Sequence, residues 1–260
     1  MSILDEIFEH KLTEIAAAQS KVTLADVVSM ARDAEPPRGF LRALTQASGL
    51  ALVAEVKKAS PSKGVIREDF NPVEIARSYE QAGAHALSVL TDEKYFQGSQ
   101  ENLRLAKRST LLPCLRKDFI RDTYQIYEAR AWGADAILLI VSSLSKSQIE
   151  EFQALARDLG MDTLVEVHSA EEAQIAVQLG CPLVGVNNRN LSTFDTAISA
   201  SQTLIPPLAD SGAFVVSESA LTSRSELDLV QAAGAKAVLI GTTFCASADI
   251  ESKVKEVMGW

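Results

Sequence analysis

Residues 131–140, AWGADAILLI, hold a whole structural unit in ten letters: the end of a helix, a glycine, a short bend and five apolar residues. A glycine straight after helical residues reads as a left-handed C-cap, and the apolar run that follows reads as a strand buried on both faces. The same phrase recurs as QAGAHALSVL (81–90), LGMDTLVEV (159–167), LGCPLVGVN (179–187) and AAGAKAVLIG (232–241). Its glycines stand at 83, 133, 160, 180 and 234, so the gaps are 50, 27, 20 and 54 residues. The first and last gaps are about twice a βα period, and each hides one further unit. The hidden strands are LLPCLRK (111–117) and AFVVSES (213–219).

LALVAEVKK (50–58) completes a set of eight strands, at about 50–57, 85–91, 111–117, 136–142, 162–167, 183–187, 213–218 and 237–241. Helices fit between them. Ser145 with Gln148, Ser169 with Glu172 and Ser223 with Glu226 each read as a capping box that starts one. Eight βα units in a chain of 260 residues predict an α/β protein of the (β/α)8 barrel class, as a single domain over 1–260. The alternative, a doubly wound open sheet, would carry a glycine fingerprint after its first strand, and none follows Val53. Residues 1–48 precede the first strand, read as helical and are expected to cover one end of the barrel.

Composition narrows the function. The chain carries 25 Lys and Arg against 34 Asp and Glu, a net charge of −9, with no basic run, which argues against nucleic acid as a partner. No stretch of 18 apolar residues predicts a membrane span, and the acid-bearing N-terminus is unlike a signal peptide. Cys114, Cys181 and Cys245 are scattered and read as reduced thiols of a cytoplasmic protein. His10, His85 and His168 share no metal-binding spacing. His85 is expected to pack near a strand start, His168 to sit in a loop before a helix, and Trp132 to pack at a helix end.

In this class, catalytic groups come from the C-terminal ends of the strands and the loops after them. Those ends supply Glu55, Lys57 and Ser60; Thr91 and Asp92; Lys117 and Asp118; Glu166; Asn187 and Arg189; Glu218 and Ser219; and Gly241 and Thr242. One Lys or Glu at a strand end is ordinarily just solvated. Ionisable groups at five converging ends point to a charged pocket. Asp92 and Asp118 are read as caps. The small and hydroxyl residues of SESA (217–220) and IGTT (240–243) suit backbone N–H groups that cradle a phosphate.

Several stretches, taken together, resemble the indole-3-glycerol-phosphate synthase family of tryptophan biosynthesis. They are AEVKKASPSKG (54–64), LSVLTDEKYFQGS (87–99), LRKDF (115–119), LVEVHS (164–169), GVNNRNL (185–191), VSESA (216–220) and LIGTTF (239–244). The resemblance covers essentially the whole chain in order, and even the leader ILDEIFEHKLTEI (3–15) is similar to the family's N-terminal helix. It implies that Lys117 is a general acid, Glu166 an acid/base glutamate and Lys57 a substrate-binding lysine. It further implies that Glu55, Asn187 and Glu218 are polar pocket residues with Arg189 beside them. Ser60, Ser219, Gly241 and Thr242 align with carboxylate or phosphate contacts, and Phe96 and Phe119 with apolar walls around an aromatic ring. Ala220 departs from the family's common glycine in the phosphate loop, and an ordinary negative φ is expected there.

The implied reaction turns 1-(2-carboxyphenylamino)-1-deoxyribulose 5-phosphate into indole-3-glycerol phosphate, carbon dioxide and water. It needs no electron sink beyond the substrate's own nitrogen, so no cofactor or metal is implied. It does need an ammonium that gives up a proton, and the Lys117 pKa is expected to be held down by burial or by nearby cations. The expected partner is the small sugar phosphate alone, bound by a monomer or weak homodimer. Two other readings are a Schiff-base aldolase using Lys57 or Lys117, and a sugar-phosphate binder without catalysis.

Overall fold

A computed structural model describes residues 3–189 and 196–260. Eight parallel strands close into a barrel, each paired with the strands before and after it, and the last pairs with the first. They are β1 (Ala51–Val56), β2 (Ala86–Leu90), β3 (Cys114–Lys117), β4 (Ala136–Ile140), β5 (Asp162–Val167), β6 (Leu183–Asn187), β7 (Phe214–Glu218) and β8 (Ala237–Ile240). This is the predicted (β/α)8 class, and the open-sheet alternative is excluded by the β1–β8 pairing of Ala51 with Ala237 through Ala54 with Ile240. The glycines of the repeated phrase all adopt left-handed φ, from 61° at Gly180 to 112° at Gly234, as C-caps require.

Strand β3 is shorter at its start than the sequence predicts. Pro113 has no N–H to give to a ladder, and Leu111 is exposed rather than buried. Strand β4 ends at Ile140, and its expected last residues form a 3-10 turn at Val141–Ser143.

Alternation along the strands divides the apolar residues between two cores. Leu52, Leu87, Ile137, Val165, Val184 and Val238 face outward into the layer under the helices. Ala51, Val53, Leu115, Leu138, Leu164, Val216 and Leu239 fill the barrel interior. Continuing up the inward rows, Glu55 follows Val53, Lys117 follows Leu115, Glu166 follows Leu164 and Glu218 follows Val216. The interior therefore changes from apolar to charged at one height, near the C-terminal ends of the strands.

The N-terminal extension does more than cover one end. It forms α1 (Ile3–Lys21), α2 (Leu24–Asp33) and α3 (Phe40–Thr45). The α3 helix plugs the N-terminal end: Phe40 and Leu44 are buried in the barrel-interior core. Asp162, at the start of β5, accepts from Leu41 N at 2.9 Å, and Asp135, just before β4, accepts from Arg38 N at 2.6 Å. The α1 helix lies by the opposite end, where Phe8 meets Phe119 edge-on, with ring centroids 5.6 Å apart. Between them, α2 packs on α7 (Thr123–Ala131), where Val27 and Tyr124 share a small core with Ile15.

His85 and Trp132 behave as the sequence predicts. The His85 ring accepts from Leu52 N at 3.2 Å and packs against Trp260, while Trp132 stacks under the Arg116 guanidinium.

Candidate active site

A cavity of about 340 Å³ opens at the C-terminal ends of the strands. Lining it are Glu55, Lys57, Ser60, Phe96, Lys117, Phe119, Glu166, Asn187, Arg189, Glu218, Ser219, Ala220, Gly241 and Thr242, all read from the sequence as site residues; the strand-end residues Thr91 and Asp92 do not line it. Asn190 and Leu191, the end of the NNRNL stretch, lie outside the described residues.

The centre of the cavity is one ammonium shared by two carboxylates. Lys117 Nζ, at the end of β3, donates to Glu166 Oε2 on β5 and to Glu218 Oε2 on β7, each at 2.7 Å. Beside them, Lys57 Nζ pairs with Glu55 Oε2 at 2.6 Å. Burial alone would lower the Lys117 pKa, but the charges of Glu166, Glu218 and Glu55 outweigh it and hold the ammonium well above the ordinary lysine range. The expectation of a lowered Lys117 pKa is therefore overturned, because carboxylates rather than cations surround it. The two glutamates divide in the opposite sense. Burial would raise Glu166, but Lys117 and then His168 hold it below the usual range. Glu218 is raised by burial, and the neighbouring Glu166 charge adds to this against the pull of Lys117. Two buried carboxylates around one cation thus separate into an ionised one and one that holds its proton more tightly.

Two glycines make room for this arrangement. A methyl group on Gly185 would overlap Glu218 Oε1, and one on Gly241 would overlap the Glu55 carboxylate. Gly241 is thus more than a ligand contact, and Gly185 has a role that the strand-end pattern alone does not mark. Gly185 sits at an inward position of β6 and Gly241 one residue past the end of β8, each with a bulky carboxylate next door, which is a legible signal once the inward rows are aligned.

The Ser219–Ala220 turn corrects a second expectation. Both residues adopt left-handed φ, 65° and 57°, so Ala220 is not in an ordinary conformation. The cause is Asn188, which is buried and was overlooked in the sequence. Its side-chain N–H groups donate to the carbonyls of Glu218 at 3.0 Å and Ser219 at 3.2 Å, and its own backbone N–H also donates to Glu218 O. Those bonds hold the chain in the bend that carries it from β7 over the cavity.

Other expected roles divide. Asp92 caps the short helix α5 (Glu93–Phe96) by accepting from Tyr95 N, as predicted. Asp118 does not cap a helix; although the residue borders the cavity, its carboxylate turns toward α1 and is buried between Lys11 Nζ at 2.9 Å and Arg116 at 3.0 Å. The capping boxes at Ser145 and Ser223 form. At Ser169 only half of one forms: its hydroxyl accepts from Glu172 N, but the Glu172 carboxylate turns to His168. His168 lies two residues beyond Glu166 with Nε2 3.2 Å from Glu166 Oε1, a contact the sequence reading did not anticipate. The i, i+2 spacing at a strand end was the available signal.

Comparison with known proteins agrees with this geometry. The family model for indole-3-glycerol phosphate synthase matches residues 4–257. Proteins named indole-3-glycerol phosphate synthase from Neisseria gonorrhoeae (strain NCCP11945) and Neisseria meningitidis serogroup B (strain ATCC BAA-335 / MC58) are each 48% identical over 255 residues, covering 97% of both chains. Among solved structures, a tryptophan synthase α-subunit from Pyrococcus furiosus matches with a TM-score of 0.61 at 15% identity, over 81% of this chain and 98% of that one. A thiamine phosphate pyrophosphorylase from the same organism matches with a TM-score of 0.59 at 15% identity, over 81% and 94%. At such identities these two structures speak for the barrel fold alone, whereas the family match spans nearly the whole sequence and the chain belongs to the indole-3-glycerol phosphate synthase family.

Proposed function

We propose that this cavity carries out ring closure, decarboxylation and dehydration of 1-(2-carboxyphenylamino)-1-deoxyribulose 5-phosphate, giving indole-3-glycerol phosphate, carbon dioxide and water. The observation that carries this reading is the Lys117 ammonium between Glu166 and Glu218, at the end of a cavity walled by Phe96, Phe119, Leu138 and Ile140. The apolar wall suits the aromatic ring. The hydroxyls and backbone N–H groups of Ser219, Ala220, Gly241 and Thr242 suit the phosphate, while Lys57, Ser60 and Arg189 suit the substrate's anionic groups. Glu55 holds Lys57, and Asn187 accepts from Arg189 N at 3.0 Å, which ties the Arg189 backbone to the end of β6.

The chemistry follows from the protonation states. As the ring carbon attacks the ketone, its oxygen becomes an alkoxide and takes a proton from Lys117. The neutral amine left behind is adjacent to Glu218, whose raised pKa makes it a proton store able to restore the ammonium. Carbon dioxide then leaves and the ring regains its electrons. In the last step the hydroxyl departs as water with a proton from Lys117, while Glu166, kept ionised, removes a proton from the methylene carbon beside the nitrogen. An ion-paired, protonated Lys117 does not suit the aldolase reading, which needs a neutral amine as nucleophile.

Among the described residues no helix is long and apolar enough to cross a membrane, and all three cysteines are buried and unpaired, which suits a reducing cytoplasmic setting. The test is an indole fluorescence assay with the anthranilate-derived sugar phosphate, run beside borohydride trapping. Indole product without a trapped adduct is expected. A trapped lysine adduct, or binding with no product, would overturn the reading.

A further inference from the structure

The half-formed capping box at Ser169 exposes a chain of contacts that runs out of the cavity. Glu172, on α9 (Ala170–Gln178), turns its Oε2 to His168, accepting from the backbone N–H at 2.8 Å and lying 3.3 Å from Nδ1. The other ring nitrogen, Nε2, is buried and 3.2 Å from Glu166 Oε1. That contact is close but off the N–H axis, so it is an ion pair rather than an aligned hydrogen bond. Glu166 Oε2 is in turn held by Lys117. With a carboxylate at each ring nitrogen, both nitrogens must carry a proton to be satisfied.

We propose that His168 and Glu172 are positioning residues for Glu166: an imidazolium braced by Glu172 holds one oxygen of Glu166, leaves the other to Lys117, and sets the pH range in which Glu166 acts as a base. The proposal rests on the role given to Glu166 above and deepens it. The charged groups facing the imidazole among the described residues are Glu166 on its own strand and Glu172 on α9, while Lys117 on β3 reaches it only through Glu166, and Glu218 on β7 only through Lys117. Burial alone would lower the His168 pKa. The bonds and charges of Glu166 and Glu172 override that and push it up to about 10. The stabilisation from this cation is thus fully present below the free imidazole value of about 6.5 and is lost as pH rises through the folded value.

Two measurements test it. In the ligand-free protein, nitrogen NMR of the His168 ring should show both nitrogens protonated at pH 8, and Glu166→Gln or Glu172→Gln should lower the pH at which the ring titrates. Kinetically, His168→Gln keeps a donor near Nε2 but removes the charge. Its kcat should begin to fall, on acidification, at a pH about one unit higher than in the wild type, with KM little changed. If His168→Gln does not fold, Glu172→Gln should shift the same limb in the same direction by less. An ordinary titration near pH 6.5 in the free protein, or pH profiles unmoved in folded variants, would overturn the proposal. A wild type that makes no indole product but keeps a doubly protonated ring at pH 8 would instead count against the reaction assigned to the cavity.

Discussion

Lys117 and Asp118 are neighbours in the chain, yet each belongs to a different buried charge cluster, and the two clusters are built on different principles. Asp118 faces outward and meets Arg116 and Lys11, and Lys11 also meets Asp92 at 2.8 Å and Glu14 at 2.6 Å. Two cations, Lys11 and Arg116, meet four carboxylates there, Asp92, Asp118, Glu14 and Glu128. Yet no buried side-chain nitrogen or oxygen of Lys11, Asp92, Arg116 or Asp118 lacks a hydrogen-bond partner, and Thr91 donates a further hydrogen bond to Asp118 at 2.6 Å. Burial would raise the Asp118 pKa, but Arg116 and Lys11 hold it well below the carboxylate range. Lys117 faces inward, where one ammonium serves two carboxylates and Glu218 Oε1 has no hydrogen-bond partner among the described residues. The outer cluster is satisfied and fixes α1 to the barrel. The inner one is crowded, leaves a buried carboxylate oxygen of Glu218 without a hydrogen bond and is ready to move a proton. Burial and charge alone do not distinguish a structural cluster from a catalytic one; whether every buried polar atom has a partner does.

The sharpest way to break this comparison is Lys117→Ala. Loss of a general acid should lower kcat by about 10²–10⁴-fold with a much smaller change in KM, read by steady-state kinetics. A variant with near-normal kcat would place the acid elsewhere.

The outer cluster should respond in stability instead. Lys11→Met removes the cation between Asp92 and Asp118 and should cost about 3–5 kcal/mol in urea unfolding, while the folded fraction keeps most of its kcat. The same cluster has a pH signature. Because Asp118 is depressed in the folded state, its stabilisation is present above the unfolded carboxyl value of about 4 and is lost as pH falls below it. Wild type should therefore lose stability on acidification below about pH 4, and Lys11→Met should lose less over that interval.

The smallest effect belongs to the turn above the cavity. Ala220 at φ 57° bears a left-handed penalty of about 1–2 kcal/mol that glycine lacks, offset by about 0.4–1 kcal/mol of added unfolded-state entropy. Ala220→Gly should thus raise stability by roughly 0–1.6 kcal/mol in the absence of phosphate. A lower melting temperature would mean that the turn relaxes without cost.

The barrel was legible because its signals are local. A C-cap glycine and the apolar run after it announce a unit within ten residues, and Gly133 with Ala136–Ile140 does so without reference to the rest of the chain. The inward charges were legible because strand alternation places Glu55, Lys117, Glu166 and Glu218 by counting from apolar neighbours. What stayed hidden depends on partners far away in sequence. The left-handed turn at Ala220 is imposed by Asn188, and the burial of Asp118 by Lys11, 107 residues before it. The direction of the Lys117 shift is set by glutamates on two other strands. Glu172 has a capping motif that is correct locally and is overridden by His168.

The most direct test of the contrast is the stability and kcat of Glu218→Gln, measured together by urea unfolding and indole formation from pH 4 to pH 8. Glu218 is raised in the folded state, so folding is favoured when it is protonated and that advantage is lost as pH rises from the unfolded carboxyl value of about 4 through the folded one. Glutamine keeps the shape and escapes this loss. The account predicts a variant more stable than wild type at pH 8, no more stable at pH 4, and slower in turnover. A variant that is less stable at pH 8 and keeps its full kcat would show that Glu218 is an ordinary structural partner of Lys117, and the distinction between the two clusters would fall.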